Sequence, residues 1–293
     1  MVVTVGEILA DFVPEGKGHI LRPGGAPSNV AVNLSSWGAK SAVIAKLGRD
    51  FLGKYLLDFV RSKGVDVSNV RFTREYRTGL VFVFLDKNGE RDFTFYGAPS
   101  ADTMLKASEI SEAMIRKSSI VHFGSISTMY KNNKSATMRA VSLAKKYKKL
   151  VSYDPNVRLN LWEGRHGKAR AHIKRYFSHA DIIKLSDTEL KFLFGSMPSK
   201  KSLSKAFGPR RLVFVSCGAK GCFVKYGDIF IHSPGIRVKA VDTTGAGDAF
   251  MAAVLYKIEK YGKGLSLNEE ELVDTAAFAN KKGADAVTRK GAV

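Results

Sequence analysis

An α/β fold built on a mostly parallel sheet is the architecture this chain predicts, on three observations. Short β-branched runs alternate with amphipathic stretches for most of the length, and one strand–turn–strand segment breaks that alternation. Two glycine-rich segments each lead directly into an apolar, helix-like run. Strands separated by helices pair in parallel, with helices covering both faces, and ligands of such sheets bind beyond the carboxyl ends of the strands.

Taken in order, Val2-Val3-Thr4-Val5 is the first strand, and residues 8–23 read as an excursion from the sheet. Further strands are predicted at 42–45, 120–123, 150–153, 182–183 and 212–215, with helices at 53–63, 133–147, 168–177 and from Ala249 to Ile258. Residues 70–96 instead read strand, turn, strand, with Asn88-Gly89 as a hairpin-turn signal. Phe82, Phe84, Phe93 and Phe95 alternate with other residues, which predicts one aromatic face. An isolated hairpin does not stay folded. It is therefore expected to join the first excursion in a small β lid, residues 12–23 and 70–98, that excludes water or serves as a dimerisation arm. No internal repeat or linker is visible, so residues 1–293 read as one unit.

Composition narrows the function classes. A chain of 293 residues with 45% hydrophobic content can bury a full core. No run of 18 apolar residues and no basic-then-apolar leader is present, which predicts a cytoplasmic protein without a membrane partner. The formal charge of +20 is spread along the chain without a nucleic-acid motif, so no nucleic-acid partner is expected. Glutamine is absent and lysine abundant, a pattern that fits adaptation to high temperature. Cys217 and Cys222 lack zinc-pair spacing and read as structural thiols.

The chemistry concentrates in Asp242-Thr243-Thr244-Gly245-Ala246-Gly247-Asp248-Ala249-Phe250. Small residues there leave backbone N–H groups uncovered at a helix start, a ready anion site. An acid would repel an anion, so Asp248 beside that cradle suggests a base for an attacking hydroxyl. A left-handed turn followed by an Asp at a helix start is the plainer alternative. In the front segment, Pro23-Gly24-Gly25-Ala26-Pro27-Ser28-Asn29, the glycines allow close backbone approach. Asn29 can donate to and accept from a hydroxyl, and the Asp11 carboxylate can accept from two neighbouring hydroxyls. Together they suggest a polyol pocket. Arg158 suits a phosphate or a carboxylate ligand, or else a structural pair with Asp154.

Gly24 to Val32 and Asp242 to Phe250 resemble the two signature segments of the ribokinase-like (PfkB) sugar kinases. Gly6 to Phe12, Gly89 to Tyr96, Pro99 to Asp102, Gly124 to Ser127, Tyr153 to Trp162 and Ala180 to Ser186 resemble the fructokinase branch. The resemblance implies a ribokinase-like three-layer α/β/α sandwich with a mostly parallel central sheet and a small β-sheet lid. It implies Asp248 as general base and the Gly245, Ala246 and Gly247 amides as the anion hole. Asp11, Gly24, Gly25, Asn29, Arg91, Tyr96 and Arg158 would contact the sugar. Lys184, Ser186, Ser216, Gly218, Gly221 and Asn280 would contact ATP. Glu189 would hold Mg²⁺ through water, and Asp242 and Thr244 with carbonyls of Ala286, Arg289 and Gly291 would hold a monovalent cation such as K⁺.

The reading is an ATP-dependent sugar kinase acting on fructose, a homodimer through the lid. A 2-keto-3-deoxygluconate kinase using Arg91 or Arg158 for the acid is the alternative within the family, and a nucleoside kinase is a further one. A non-catalytic sugar or nucleotide sensor would not need Asp248, and a nucleic-acid binder is suggested by charge alone.

Overall fold

Strands covered on both faces read as unbroken apolar runs, and this explains the centre of the molecule. The computed structural model describes residues 1–85, 91–97 and 99–293; side chains of 85, 91 and 92 are outside that description. The strands are β1 (Val2–Val5), β2 (Leu9–Glu15), β3 (Gly18–Gly24), β4 (Ser41–Gly48), β5 (Val70–Thr73), β6 (Leu80–Leu85) and β7 (Arg91–Tyr96). They continue as β8 (Ile120–Gly124), β9 (Leu150–Asp154), β10 (Ile182–Ser186), β11 (Leu212–Ser216), β12 (Cys222–Tyr226) and β13 (Ile229–Ser233). The helices are α1 (Ala26–Ser36), α2 (Phe51–Ser62), α3 (Glu112–Lys117), α4 (Lys131–Lys146), α5 (His166–Lys174), α6 (Asp187–Phe194), α7 (Lys200–Phe207), α8 (Ala246–Tyr261) and α9 (Glu269–Ala286).

Nine strands form the large sheet in the order β13-β12-β11-β10-β9-β8-β1-β4-β5. Its strands run parallel from β5 across to β11, while β12 pairs antiparallel with both β11 and β13, so that β13 runs with the parallel set. β1, β4 and β8 are buried along their whole length. Alternate residues of each strand serve opposite layers. Val3, Val121 and Val151 pack with α4, whereas Val2, Ile120 and Leu212 pack with Leu34 of α1, Val254 of α8 and Leu272 of α9. The expected parallel sheet with helices on both faces is therefore what forms.

A second sheet of four strands, in the order β3-β2-β6-β7, stands apart from the first. It differs from the expected lid in two ways. Val70–Thr73 is an edge strand of the large sheet, paired in parallel with β4, so the second excursion begins only at Leu80. The four phenylalanines also do not share a face. Val81 pairs with Phe95 and Val83 with Phe93, while Phe82 pairs with Thr94. Residues directly opposite share a side of the sheet, so Phe93 and Phe95 face one way and Phe82 and Phe84 the other. The Asn88-Gly89 turn lies outside the described residues. Cys217 and Cys222 are free thiols. Among the described residues no helix is long and apolar enough to cross a membrane.

Candidate active site

The carboxyl ends of the parallel strands gather the polar residues of interest. Glu7 follows β1, Ile126 follows β8, Asn156 and Arg158 follow β9, Lys184 and Ser186 end β10, and Ser216 ends β11. Two cavities open along this edge, of about 540 and 620 Å³. Both are lined by Thr243 and Gly247, so they meet at the turn before α8.

That turn depends on residues without side chains. Gly245 is the residue before α8, at φ +77°, and a Cβ on it would run into Ala292 of the C-terminal tail. A Cβ on Gly247 would lie 2.9 Å from Lys184 Nζ. The first amides of a helix have no partner within it; here the Ala246 N–H reaches the Thr243 carbonyl at 3.4 Å, a long bond. The Asp242 carboxylate holds the turn from behind, accepting from the Thr244 N–H at 2.7 Å and the Gly291 N–H at 3.0 Å. Asp242, Thr244 and Gly291 are thus brought together, but Gly291 meets Asp242 through its amide. Ala286 and Arg289 flank Val287, whose carbonyl accepts from the Val241 and Asp242 amides.

Asp248 lies in the first turn of α8, buried, and accepts from Asn29 Nδ2 at 2.8 Å. Burial pushes its acid up to about 6. The Asn29 bond opposes that rise, Asp154 adds to it, and Lys184 and Arg158 also oppose it. The result is a carboxylate ionised at neutral pH and basic enough to take a proton. Lys184 is buried with Asp154 at 2.9 Å. Burial works against its charge, but Asp154, Glu189 and Asp248 hold it above the ordinary lysine value.

Asp11, Gly25, Asn29, Arg158 and Asp248 line the smaller cavity together. A Cβ on Gly24 would collide with the Asp11 carboxylate, and one on Gly25, at φ +99°, with the Glu7 carbonyl. Arg158 lies over the Phe93 ring, 5.3 Å from its centroid, while Asp154 takes Lys184 as its partner; the Arg158–Asp154 alternative is not what forms. Asn29 spends its amide on Asp248. Tyr96 does not reach this cavity: it pairs with Leu80 on the outer face and meets Phe82 edge-on. The Arg91 side chain lies outside the described residues.

The larger cavity is lined by Ser216, Gly218, Gly221 and Asn280 together. A Cβ on Gly221 would strike the Ser233 carbonyl, so the backbone passes there at contact distance. Asn280 Nδ2 donates to the Ser233 and Pro234 carbonyls, fixing α9 to that crossing. Lys184 and Ser186 line neither cavity. Ser186 caps α6, accepting from the Glu189 N–H, and Glu189 in return accepts from the Ser186 and Val157 amides at 2.7 and 2.6 Å. Glu189 therefore fastens α6 to the loop after β9.

Several residues of the site carried no role in the sequence reading. Val81, Phe93 and Phe95 form an apolar wall of the smaller cavity, and Glu7, Ile126 and Asn156 complete it. The alternation of Phe93 with Phe95 was the available signal for the wall, and a lone Glu among apolar residues was the signal at position 7.

A glycine-rich turn shared by two cavities, with a buried carboxylate at the junction, is the arrangement of an enzyme that brings two bound substrates together. The family model described as pfkB family carbohydrate kinase matches residues 1–293, and the chain belongs to that family. It is 43% identical to probable fructokinase-5 of Arabidopsis thaliana over 303 aligned positions, covering all of this chain and 93% of the relative. A fructokinase from Vibrio cholerae O395 with fructose, ADP and calcium ion bound superposes with a TM-score of 0.89 at 34% identity, covering 99% of this chain and 94% of that one. A double mutant of that enzyme with fructose, ADP and potassium ion bound gives a TM-score of 0.90 at 34% identity, covering 99% and 93%.

The buried pair yields a stability prediction. Lys184→Met leaves Asp154 charged in the interior without its cation, the Asn156 N–H at 3.1 Å still donating to it, a loss of about 3–5 kcal/mol. Urea unfolding reads it; a loss under about 1 kcal/mol would contradict a pair buried on both sides.

Proposed function

We propose that the protein is an ATP-dependent fructokinase that transfers the γ-phosphoryl group to the primary 6-hydroxyl of D-fructose. The observation that carries this reading is the placement of Asp248 at the turn the two cavities share. Fructokinases as relatives, and neighbours that bind fructose and ADP, support the choice of substrates.

In this reading the nucleotide occupies the larger cavity, whose apolar walls, among them Ile236, Val238 and Phe250, suit a flat base. Fructose occupies the smaller one, with Asp11 accepting from its hydroxyls and Phe93 and Phe95 covering its apolar face. Asn29 holds Asp248 Oδ2, which leaves the other oxygen to take the proton of the attacking hydroxyl. The amides of Gly245, Ala246 and Gly247 and the positive end of α8 receive the charge that develops on the transferring group. Arg158 supplies a further cation. The small sheet acts as a lid that keeps water out of the transfer.

Magnesium suits this donor set. Among the described residues no three His, Cys, Asp or Glu side chains cluster as a metal site. A carboxylate such as Glu189, already engaged by two amides, fits an ion that stays largely hydrated and arrives on the phosphates. The ion would neutralise phosphate charge. A monovalent cation beside the anion turn would take the oxygens of Asp242 and Thr244 and carbonyls of Ala286, Arg289 and Gly291; the potassium-bound neighbour supports it.

Self-association belongs to the same reading. Phe12 stacks on Phe82 at 4.8 Å, and Phe84 and Tyr96 on that outer face are 44% and 52% exposed. We read this face as the contact of a homodimer. Light scattering should show a dimer that Phe84→Glu with Tyr96→Glu converts to monomer; a monomeric wild type would end the idea.

Activity is tested by coupled ADP release against fructose, 2-keto-3-deoxygluconate, ribose and a nucleoside, with Mg²⁺ and K⁺ omitted in turn. Preference for the keto-acid would favour Arg158 as a carboxylate partner and overturn fructose. Asp248→Asn should lower kcat by about 10²–10⁴-fold with ATP binding kept. Because the base works ionised, wild-type kcat at saturating fructose should be level above pH 7 and fall tenfold per pH unit well below about 6. A profile flat down to pH 5 would remove Asp248 as the base.

A further inference from the structure

Glu7 lies between β1 and β2 and is 3% exposed. Its Oε2 is enclosed without a hydrogen-bond partner. Among the described residues only one other buried side chain leaves a polar atom in that condition, the Tyr176 hydroxyl, and Tyr176 packs in the aromatic core with Phe123 and Tyr153. Glu7, by contrast, lines the smaller cavity beside Asp11, Asn29 and Asp248.

Three charged groups face Glu7 from the surrounding elements: Asp102 from the turn after β7, Asp248 from α8 and Arg158 from the loop after β9. Enclosed acids that face one another repel as anions, so the one with the fewest donors keeps its proton most readily. Asp248 has the Asn29 amide, and Asp102 accepts from Ser100 Oγ at 2.6 Å. Glu7 has only its own N–H. A protonated carboxyl is a donor, and on the wall of a cavity for a polyol it needs an acceptor that the empty protein does not provide.

We propose that Glu7 is a specificity-determining residue of the sugar site, a neutral carboxylic acid whose O–H donates to a non-reacting hydroxyl of the bound sugar. The proposal rests on the sugar-kinase reading above. Discrimination by such a group is strong, because a sugar without the matching hydroxyl leaves a buried donor unpaired. Burial pushes this acid up to about 7, its own N–H opposing and the neighbouring carboxylates adding to the rise. The donor is therefore present below that pH and lost above it. Between pH 7 and 9 Asp248 is already ionised, so a change in sugar affinity over that range belongs to another group.

The test measures KM for fructose, KM for ATP and kcat from pH 6 to 9 in wild type, Glu7→Gln and Glu7→Met. Wild-type KM for fructose should rise about tenfold or more across the range while KM for ATP stays level. Glu7→Gln, whose amide donates at every pH, should match wild type at pH 6 and stay flat. Glu7→Met should raise KM for fructose at least tenfold at pH 6 with a much smaller change in kcat, and a structural role would not give that split. The proposal is overturned by a folded Glu7→Met with unchanged KM, or by a Glu7→Gln that keeps the wild-type rise. Protection against thermal unfolding by fructose alone reads the same series without turnover. A wild type that neither binds nor phosphorylates fructose would overturn the functional reading instead. The series then runs on whichever sugar of the panel turns over, and the same two results decide Glu7 there.

Discussion

The hydrogen bond from Asn29 Nδ2 to Asp248 Oδ2 joins two side chains 219 residues apart and links the helices that follow both glycine-rich segments. A carboxylate buried at a helix start is stable as an anion only with donors and positive charge around it. Asn29 supplies the donor, α8 its positive end, and Lys184 and Arg158 the field. Each of these comes from a different strand end or helix, so the large sheet must be in place before the acid can be both buried and charged. The Asp154–Lys184 pair under Gly247 belongs to the same arrangement, since it holds a cation beneath the turn without placing it in either cavity.

Absent side chains matter here as much as present ones. Gly24, Gly25, Gly221, Gly245 and Gly247 each lie where a Cβ would meet a carboxylate, a carbonyl, the C-terminal tail or an ammonium group. The tail itself closes over the turn before α8 through Asp242 and Ala292, which fixes the shape of that loop.

Much of this could be read from the residues. The parallel strands and the two glycine segments declare themselves by local pattern, because each rests on a short-range rule of periodicity or turn chemistry, whereas the residues of the larger cavity are legible only through the family resemblance. What could not be read is set by partners far away in sequence. Val70–Thr73 has the look of the hairpin beside it and joins the other sheet only because β4 offers a free edge. Asn29 has the chemistry of a sugar ligand, and only the packing of α1 against α8 commits its amide to Asp248. Ser186 and Glu189 share a capping box with each other, and the Val157 amide adds a tie to the loop after β9 that no local pattern announces. Tyr96 follows Phe95 directly, and a single step along a strand is enough to carry it to the opposite face.

The last of these points reaches beyond one tyrosine. β6 and β7 present Val81, Phe93 and Phe95 to the cavity and Phe82, Phe84 and Tyr96 to solvent, and the assignment of each set rests on one pairing register. A slip by one residue would exchange the two sets entirely. Insertions or deletions in this hairpin therefore change the wall of the smaller cavity and the outer aromatic face in a single event, and neither can drift along these two strands without the other.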